Sequence, residues 1–273
     1  MKLAFTTLGC LNWELDTIIT KAKEYGFNAV DIRGLEGDLN TLQVPEFSTQ
    51  AKETAAKFKE ENLPVSCFST SICLFNPYNS PKKPLKANLE EVKQYAELSQ
   101  IFDSEYIRVF GGRIDRLERS EAVTEAAWIL DQMGGIASQY DVKVLFETHD
   151  DWSSSTHVRS VMEELSSEAV CVLWDVLHTV LEADEDPVET WTNIGKWVQY
   201  THLKDAYRVG DKIQMCLVGE GSIPLKQVVD VLDKGGYGGY YTLEWEKKWH
   251  PEIEEPEVAF PHYVDYMKTL YSN

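Results

Sequence analysis

Apolar residues fall in eight short runs, each followed by a stretch with helical spacing. The first run, residues 3–7, precedes WELDTIITKAKEYGF, where Leu15, Ile18, Ile19 and Ala22 recur three and four apart and line one helical face. Gly26 stands where a left-handed residue ends a helix. The second run, NAVDIR (28–33), precedes a helical stretch over 45–63 that Pro45 can open, since a first turn needs no N–H there. PVSCFSTS (64–71) precedes a helix at 86–102, EYIRVFGG (105–112) one at 120–140, and VKVLFETH (142–149) a weaker one at 156–167. AVCVLWDVLH (169–178), VQYTHLKD (198–205) and YYTLEWE (240–246) are followed by helical stretches at 187–197, 222–236 and 256–271.

Strict strand–helix alternation predicts parallel strands covered by helices. Near-continuous apolar strands fit a sheet buried on both faces. Eight units in about 250 residues is the size of a (β/α)8 TIM barrel. A doubly wound open sheet is the rival, but it would normally carry a glycine-rich phosphate turn after its first strand, and TTLGCLNW lacks one. No linker, repeat or low-complexity segment interrupts the pattern, so residues 1–273 are expected to form one domain.

Charge narrows the partners. The chain has 45 acidic and 26 basic residues, a net charge of −19. Such a field repels phosphate backbones and anionic lipids and welcomes cations, so neither nucleic acid nor membrane is expected as a partner. The apolar share, 43%, is ordinary for a globular protein. The five cysteines form no CxxC pair and read as small core residues, not as a zinc ribbon or a disulfide framework. The opening apolar run is short for a signal peptide, and no stretch reaches the ~18 apolar residues of a membrane span. A cytoplasmic location is the expectation.

In a barrel of this kind the active site lies at the C-terminal mouth of the strands. The later strands end in ionisable groups: Glu147 and His149 on the fifth, Asp175 and then His178 on the sixth, His202, Lys204 and Asp205 on the seventh, Glu244 and Glu246 on the eighth. Alternation points Glu147 with His149, His202 with Lys204, and Glu244 with Glu246. The early strands end in Thr6, Arg33, Ser69 and Arg108. Convergence of Glu147, Asp175, His202 and Glu244 would make an oxygen-rich cage with one imidazole. Oxygen donors suit Mg2+ or Mn2+, and the imidazole tilts the choice toward Mn2+, Co2+ or Zn2+. Without a cation, three carboxylates so placed would repel one another. Lys204 can serve a substrate anion or an enediolate, or simply pair with Asp175 or Asp205. Trp13, Trp152, Trp245 and Trp249 lie at or after strand ends, where aromatic rings suit a sugar face or plain packing.

FETH, WDVLH, THLKD, VGEGSIPL and GYGGYYTLEWE together resemble the xylose isomerase-like TIM barrels, a superfamily of sugar isomerases and epimerases. The resemblance covers nearly the whole chain and is strongest over 142–250. It implies a divalent metal, Mn2+ first, held by Glu147, Asp175, His202 and Glu244, with Glu147 and Glu244 as acid and base. It implies substrate contact by His178 and, at the spacing of the ketose epimerases, Arg208; Lys204 and His149 join them as substrate-side candidates. Ser153 stands where some of those epimerases carry a further glutamate.

The expected activity is isomerisation or epimerisation of a small ketose or polyol ketone through an enediolate, with dehydration of a cyclic polyol ketone or related acid as the alternative. Phosphodiester hydrolysis, known for the AP endonucleases of this fold, needs extra histidines that CFSTSI and YIRVFGG lack. A non-catalytic sugar-binding relic fits poorly with intact ligands. Homo-oligomers are common in the superfamily, so one is possible here.

Overall fold

In a computed structural model that describes residues 1–77, 82–115 and 117–271, the eight runs close into a parallel barrel. Its strands are β1 (Lys2–Thr6), β2 (Ala29–Ile32), β3 (Val65–Cys73), β4 (Tyr106–Phe110), β5 (Lys143–Glu147), β6 (Val170–Asp175), β7 (Val198–Leu203) and β10 (Tyr240–Leu243). They run round the barrel in sequence order, and β10 pairs with β1 to close it. Register brings Asp175 opposite His202 and His202 opposite Thr242. The Glu244 N–H bonds to the Leu203 carbonyl at 3.0 Å and extends that ladder to the strand end.

Alternation separates two apolar layers. Cys67, Tyr106, Leu145, Cys171, Leu173 and Tyr200 pack together inside the barrel. Val144, Phe146, Val172, Trp174 and Leu243 belong to the larger core shared with the helices. Because side chains repeat every second residue, the inward set that begins with Leu145, Leu173 and Tyr200 ends with Glu147, Asp175 and His202 at the mouth. The polar site is the top layer of the barrel interior.

The covering helices are α1 (Leu15–Tyr25), α2 (Ala51–Glu60), α3 (Leu85–Phe102), α4 (Arg119–Ala137), α5 (Ser155–Glu164), α6 (Pro187–Ile194), α7 (Leu225–Lys234) and α8 (Pro256–Tyr271). Gly26 ends α1 at φ 89°, its N–H bonded back to Ala22 and Lys23. Two predicted helices are shorter than expected. Pro45 opens only a 3-10 turn, and the backbone leaves helical space at Ser48 before α2 begins. After Ile194 the predicted sixth helix tightens into a 3-10 turn.

One element is unforeseen. Between β7 and the GEGSI segment lies an antiparallel hairpin, β8 (Asp205–Val209) and β9 (Lys212–Cys216). Gly210, at φ 62°, supplies the left-handed residue that a two-residue hairpin turn needs.

Candidate metal centre at the barrel mouth

Glu147 ends β5, Asp175 ends β6, His202 lies on β7, and Glu244 follows β10 directly. All four are buried, and one donor atom from each lies within 4.8 Å of the others. Donors bound at about 2.0–2.2 Å to one centre can be at most about 4.4 Å apart. Movements of a few tenths of an ångström would seat a single ion. Three carboxylates and one imidazole suit a divalent cation of the Mg, Mn, Co or Zn type.

The surroundings aim these donors. His202 has a carboxylate on each face: Nε2 is 3.1 Å from Asp31 Oδ2, and Nδ1 is 3.2 Å from Glu147 Oε1 and 3.3 Å from Glu244 Oε1. Asp31 therefore takes one ring nitrogen and turns the other toward the cluster, as an outer carboxylate does for a ligating histidine. Burial works against the imidazolium, yet these carboxylates hold the His202 pKa well above its usual value while no metal is bound. Burial raises the Glu147 carboxyl, but Arg108 and His202 outweigh it and bring it to about 2. Arg108 Nη1 lies 3.1 Å from Glu147 Oε2. Thr148 braces the ligand strands: its hydroxyl accepts from the Asp175 N–H (2.8 Å) and donates to the Asp175 carbonyl (3.1 Å).

Lys204 is 0% exposed. Its ammonium reaches Asp175 Oδ2 (2.7 Å), Glu246 Oε1 (2.6 Å) and Glu244 Oε2. Burial alone would strip its proton, but the three carboxylates hold it cationic. It balances part of the charge that three buried carboxylates bring together.

The remaining candidates separate. His178 begins a π-helical turn (His178–Glu182) after β6. Its Nδ1 is 2.8 Å from Glu182 Oε2, its Nε2 is 3.8 Å from Asp175 Oδ2, and its ring centroid lies 4.1 Å from that of His149. His149 lines the pocket above the cluster, and its Nδ1 lies 2.9 Å from Asp150 Oδ1 without forming a hydrogen bond. Ser153 donates to Glu182 at 2.8 Å, so Glu182 is tied in from two sides. Arg208 goes elsewhere: it is exposed on β8, its guanidinium donates to the Leu181 carbonyl, and it is not among the residues lining the pocket. The hairpin explains this, because a six-residue step from His202 leaves the barrel along β8. Of the four tryptophans, Trp249 lines the pocket. Trp152 and Trp245 are core residues, and Trp13 packs edge-on against Phe260.

The pocket has a volume of about 640 Å3. Glu244, Glu246, Arg33 and Arg108 are among the residues that line it. A larger depression of about 740 Å3 beside Lys82 and Asp115 is lined by none of the cluster residues. Asp31, Glu182 and both arginines were not singled out from sequence as site residues. The available signal was the alternation that also placed the four ligands, since Asp31 and Arg33, like Arg108, have inward parity on apolar strands.

Comparison with known proteins bears on this geometry. An inosose dehydratase of Geobacillus thermodenitrificans is 24% identical over 166 residues, 53% of this chain and 53% of that enzyme. The match thus spans about half the length of that curated relative. A solved structure of an L-ribulose 3-epimerase superposes with a TM-score of 0.79 at 12% identity, covering 100% of this chain and 95% of the other. The IOLI protein, solved with a bound zinc atom, superposes with a TM-score of 0.78 at 16% identity, over 99% and 96% of the two chains. Among the described residues, no helix is long and apolar enough to cross a membrane. Other structures that superpose include a probable 3-DHS dehydratase of Bacillus anthracis, with a TM-score of 0.79 at 18% identity, and at such identities the likeness is one of fold. The profile of the xylose isomerase-like TIM barrel matches residues 19–270. With that match over most of its length, a closed eight-stranded barrel and a four-donor cluster at the mouth, this chain belongs to the xylose isomerase-like TIM barrel family.

Proposed function

We propose that this chain is a divalent-metal-dependent isomerase or epimerase of a small ketose or polyol ketone, working by proton transfer at the carbon beside the carbonyl. The observation that carries this reading is the convergence of Glu147 and Glu244 on one nitrogen of one imidazole, 3.2 and 3.3 Å from His202 Nδ1. A divalent ion held by Glu147, Asp175, His202 and Glu244 supplies Lewis acidity at the ketone oxygen, with Mn2+ ahead of Mg2+, Co2+ and Zn2+ for this donor set. Asp31 and Arg108 hold the cluster residues in place. Glu147, kept ionised by Arg108 and His202, accepts the proton from the carbon. Glu244, held ionised at rest against burial by Lys204 and His202, takes up a proton from solvent and passes it to the opposite face, which gives an epimer, or to the neighbouring carbon, which gives the aldose–ketose isomer. Lys204, held cationic, faces the carboxylates and steadies negative charge as it develops on the substrate oxygens.

Dehydration is the second reading, and the paired histidines favour it. His178 Nδ1 is engaged by Glu182, while its buried Nε2 has no hydrogen-bond partner in the protein. An imidazolium so placed can protonate a departing β-hydroxyl, with His149 beside it.

The test is solvent exchange. Protein reconstituted with Mn2+ and incubated in D2O with a ketose panel is expected to wash deuterium into one substrate carbon. Glu147→Gln should slow exchange by about 10²–10⁴-fold while circular dichroism stays unchanged. Full exchange by Glu147→Gln, or by protein stripped with chelator, contradicts the reading. A new ultraviolet absorbance from a conjugated enone moves the assignment to the dehydratase.

A further inference from the structure

Resting on the ketone chemistry proposed above, we infer that the substrate carries a carboxylate, and that Arg33 is its partner. Arg33 follows β2, is 6% exposed and lines the pocket over the metal cluster. Its side chain makes one long hydrogen bond, Nη1 to the Leu39 carbonyl at 3.4 Å, and among the described residues it has no ion pair. Every other cation at the mouth is matched: Lys204 by three carboxylates, Arg108 by Glu147. A buried charge with no ion-pair partner is costly on general grounds, and the more distant Glu244 and Glu147 carboxylates offset only part of that cost. The guanidinium fork is the side chain best shaped to hold a carboxylate through two parallel bonds.

The neighbours point the same way. Arg108 lies on the same wall, its guanidinium carbon 3.8 Å from the centroid of the Phe110 ring. Its nitrogens form no hydrogen bond of good geometry, although one faces Glu147. Burial first, and the Arg108 charge second, lower the Arg33 pKa to about 10, while Tyr95, Glu244 and Glu147 draw it the other way. Three carboxylates and one imidazole, with Lys204 among them, come from β5, β6, β7 and the end of β10, while the guanidiniums of Arg33 and Arg108 come from β2 and β4, beside the Asp31 carboxylate. A molecule that spans the pocket meets the carboxylate cluster with its ketone and adjacent hydroxyl, and meets Arg33 with an anionic end. One unmatched charge asks for a monoanion, a carboxylate, sooner than a phosphate dianion. In a protein of net charge −19, anions are repelled at long range, so recognition of an acid needs such local cations.

A matched set of probes tests this by binding, independently of turnover. 5-Keto-D-gluconate and L-sorbose differ only in a carboxylate against a hydroxymethyl group, and L-sorbose 6-phosphate places a phosphate there instead. Titration calorimetry of Mn2+-loaded protein should give an affinity for the keto acid at least about tenfold above that for sorbose. Arg33→Gln should remove that preference and leave sorbose binding unchanged, while Arg33→Lys keeps part of it. Thermal unfolding of Arg33→Gln should match or exceed the parent, because a buried unpaired charge is removed. Equal affinity for acid and neutral ketose, binding of neither, preference for the phosphate, or an Arg33→Gln loss shared by all three probes overturns the inference. The wild-type comparison alone decides it should the variant not fold. Deuterium exchange dependent on Glu147 can succeed while this panel fails, so the two readings fall separately.

Discussion

His178 and Glu182 shift each other in opposite directions. Burial disfavours the imidazolium, but Asp175 and Glu182 outweigh it and hold His178 at about 9. Burial raises Glu182, and the His178 hydrogen bond and charge bring it down to about 2. A raised histidine contributes stability that is full below ~6.5 and lost as pH rises through about 9; a depressed glutamate contributes stability that is full above ~4.5 and lost as pH falls through about 2. In protein stripped of divalent ions, a double-mutant cycle with His178→Gln and Glu182→Gln should therefore show coupling at pH 6 and almost none at pH 10. Solvent at Glu182 limits its size to about 0.5–1 kcal/mol. Coupling that is the same at both pH values would mean that the ring is neutral throughout. The residue scale was only half legible in the sequence. Strand ends and alternation point Glu147, Asp175, His202 and Glu244 into the barrel. Parity says nothing of who sits across it, so Asp31 behind His202 and Arg108 beside Glu147 emerge from the fold.

The elements that carry the site are short strands, and the loops between them are pinned from within. Asp205 is the clearest case. Its carboxylate accepts from the backbone N–H groups of Ala206 (2.9 Å), Gly219 (2.8 Å), Gly221 (3.0 Å) and Ile223 (3.2 Å). It ties the start of the β8–β9 hairpin to the GEGSI segment. Two glycines make this possible: Gly219 has φ 94°, and a Cβ on Gly221 would lie 2.1 Å from Asp205 Oδ1. Asp205→Ala leaves several buried donors unmet and should cost about 2–4 kcal/mol in urea unfolding, with faster amide exchange over residues 217–223. Protection unchanged over that stretch would mean that the hairpin holds the loop without Asp205. From sequence, THLKD and VGEGSI read as separate motifs. Their link could not be read, because a hairpin of eleven or so residues stands between the acid and its donors.

At the scale of the molecule, a metal at the mouth would add a common tie to four staves already joined by backbone ladders and by the His202 and Lys204 contacts. Its ligands would come from β5, β6 and β7 and from the residue after β10. An ion that binds the folded chain alone adds RT ln(1 + [M]/Kd), about 2.7 kcal/mol at a free concentration a hundredfold above Kd. Mn2+ should raise the unfolding midpoint of chelator-stripped protein, and Glu244→Gln should lose most of that rise. A midpoint insensitive to the ion in the parent would argue that the cluster holds no metal. The sequence alone determined the barrel, its eight units and the four donors, because those depend on local period and on which residue ends each strand. Only the tertiary structure decided the rest: Arg208 carried away along a hairpin, Trp152 and Trp245 taken into the core, Lys204 enclosed by three carboxylates and Arg33 left without an ion pair among the described residues. Those outcomes depend on distances between residues far apart in the chain, and no periodicity along it encodes them.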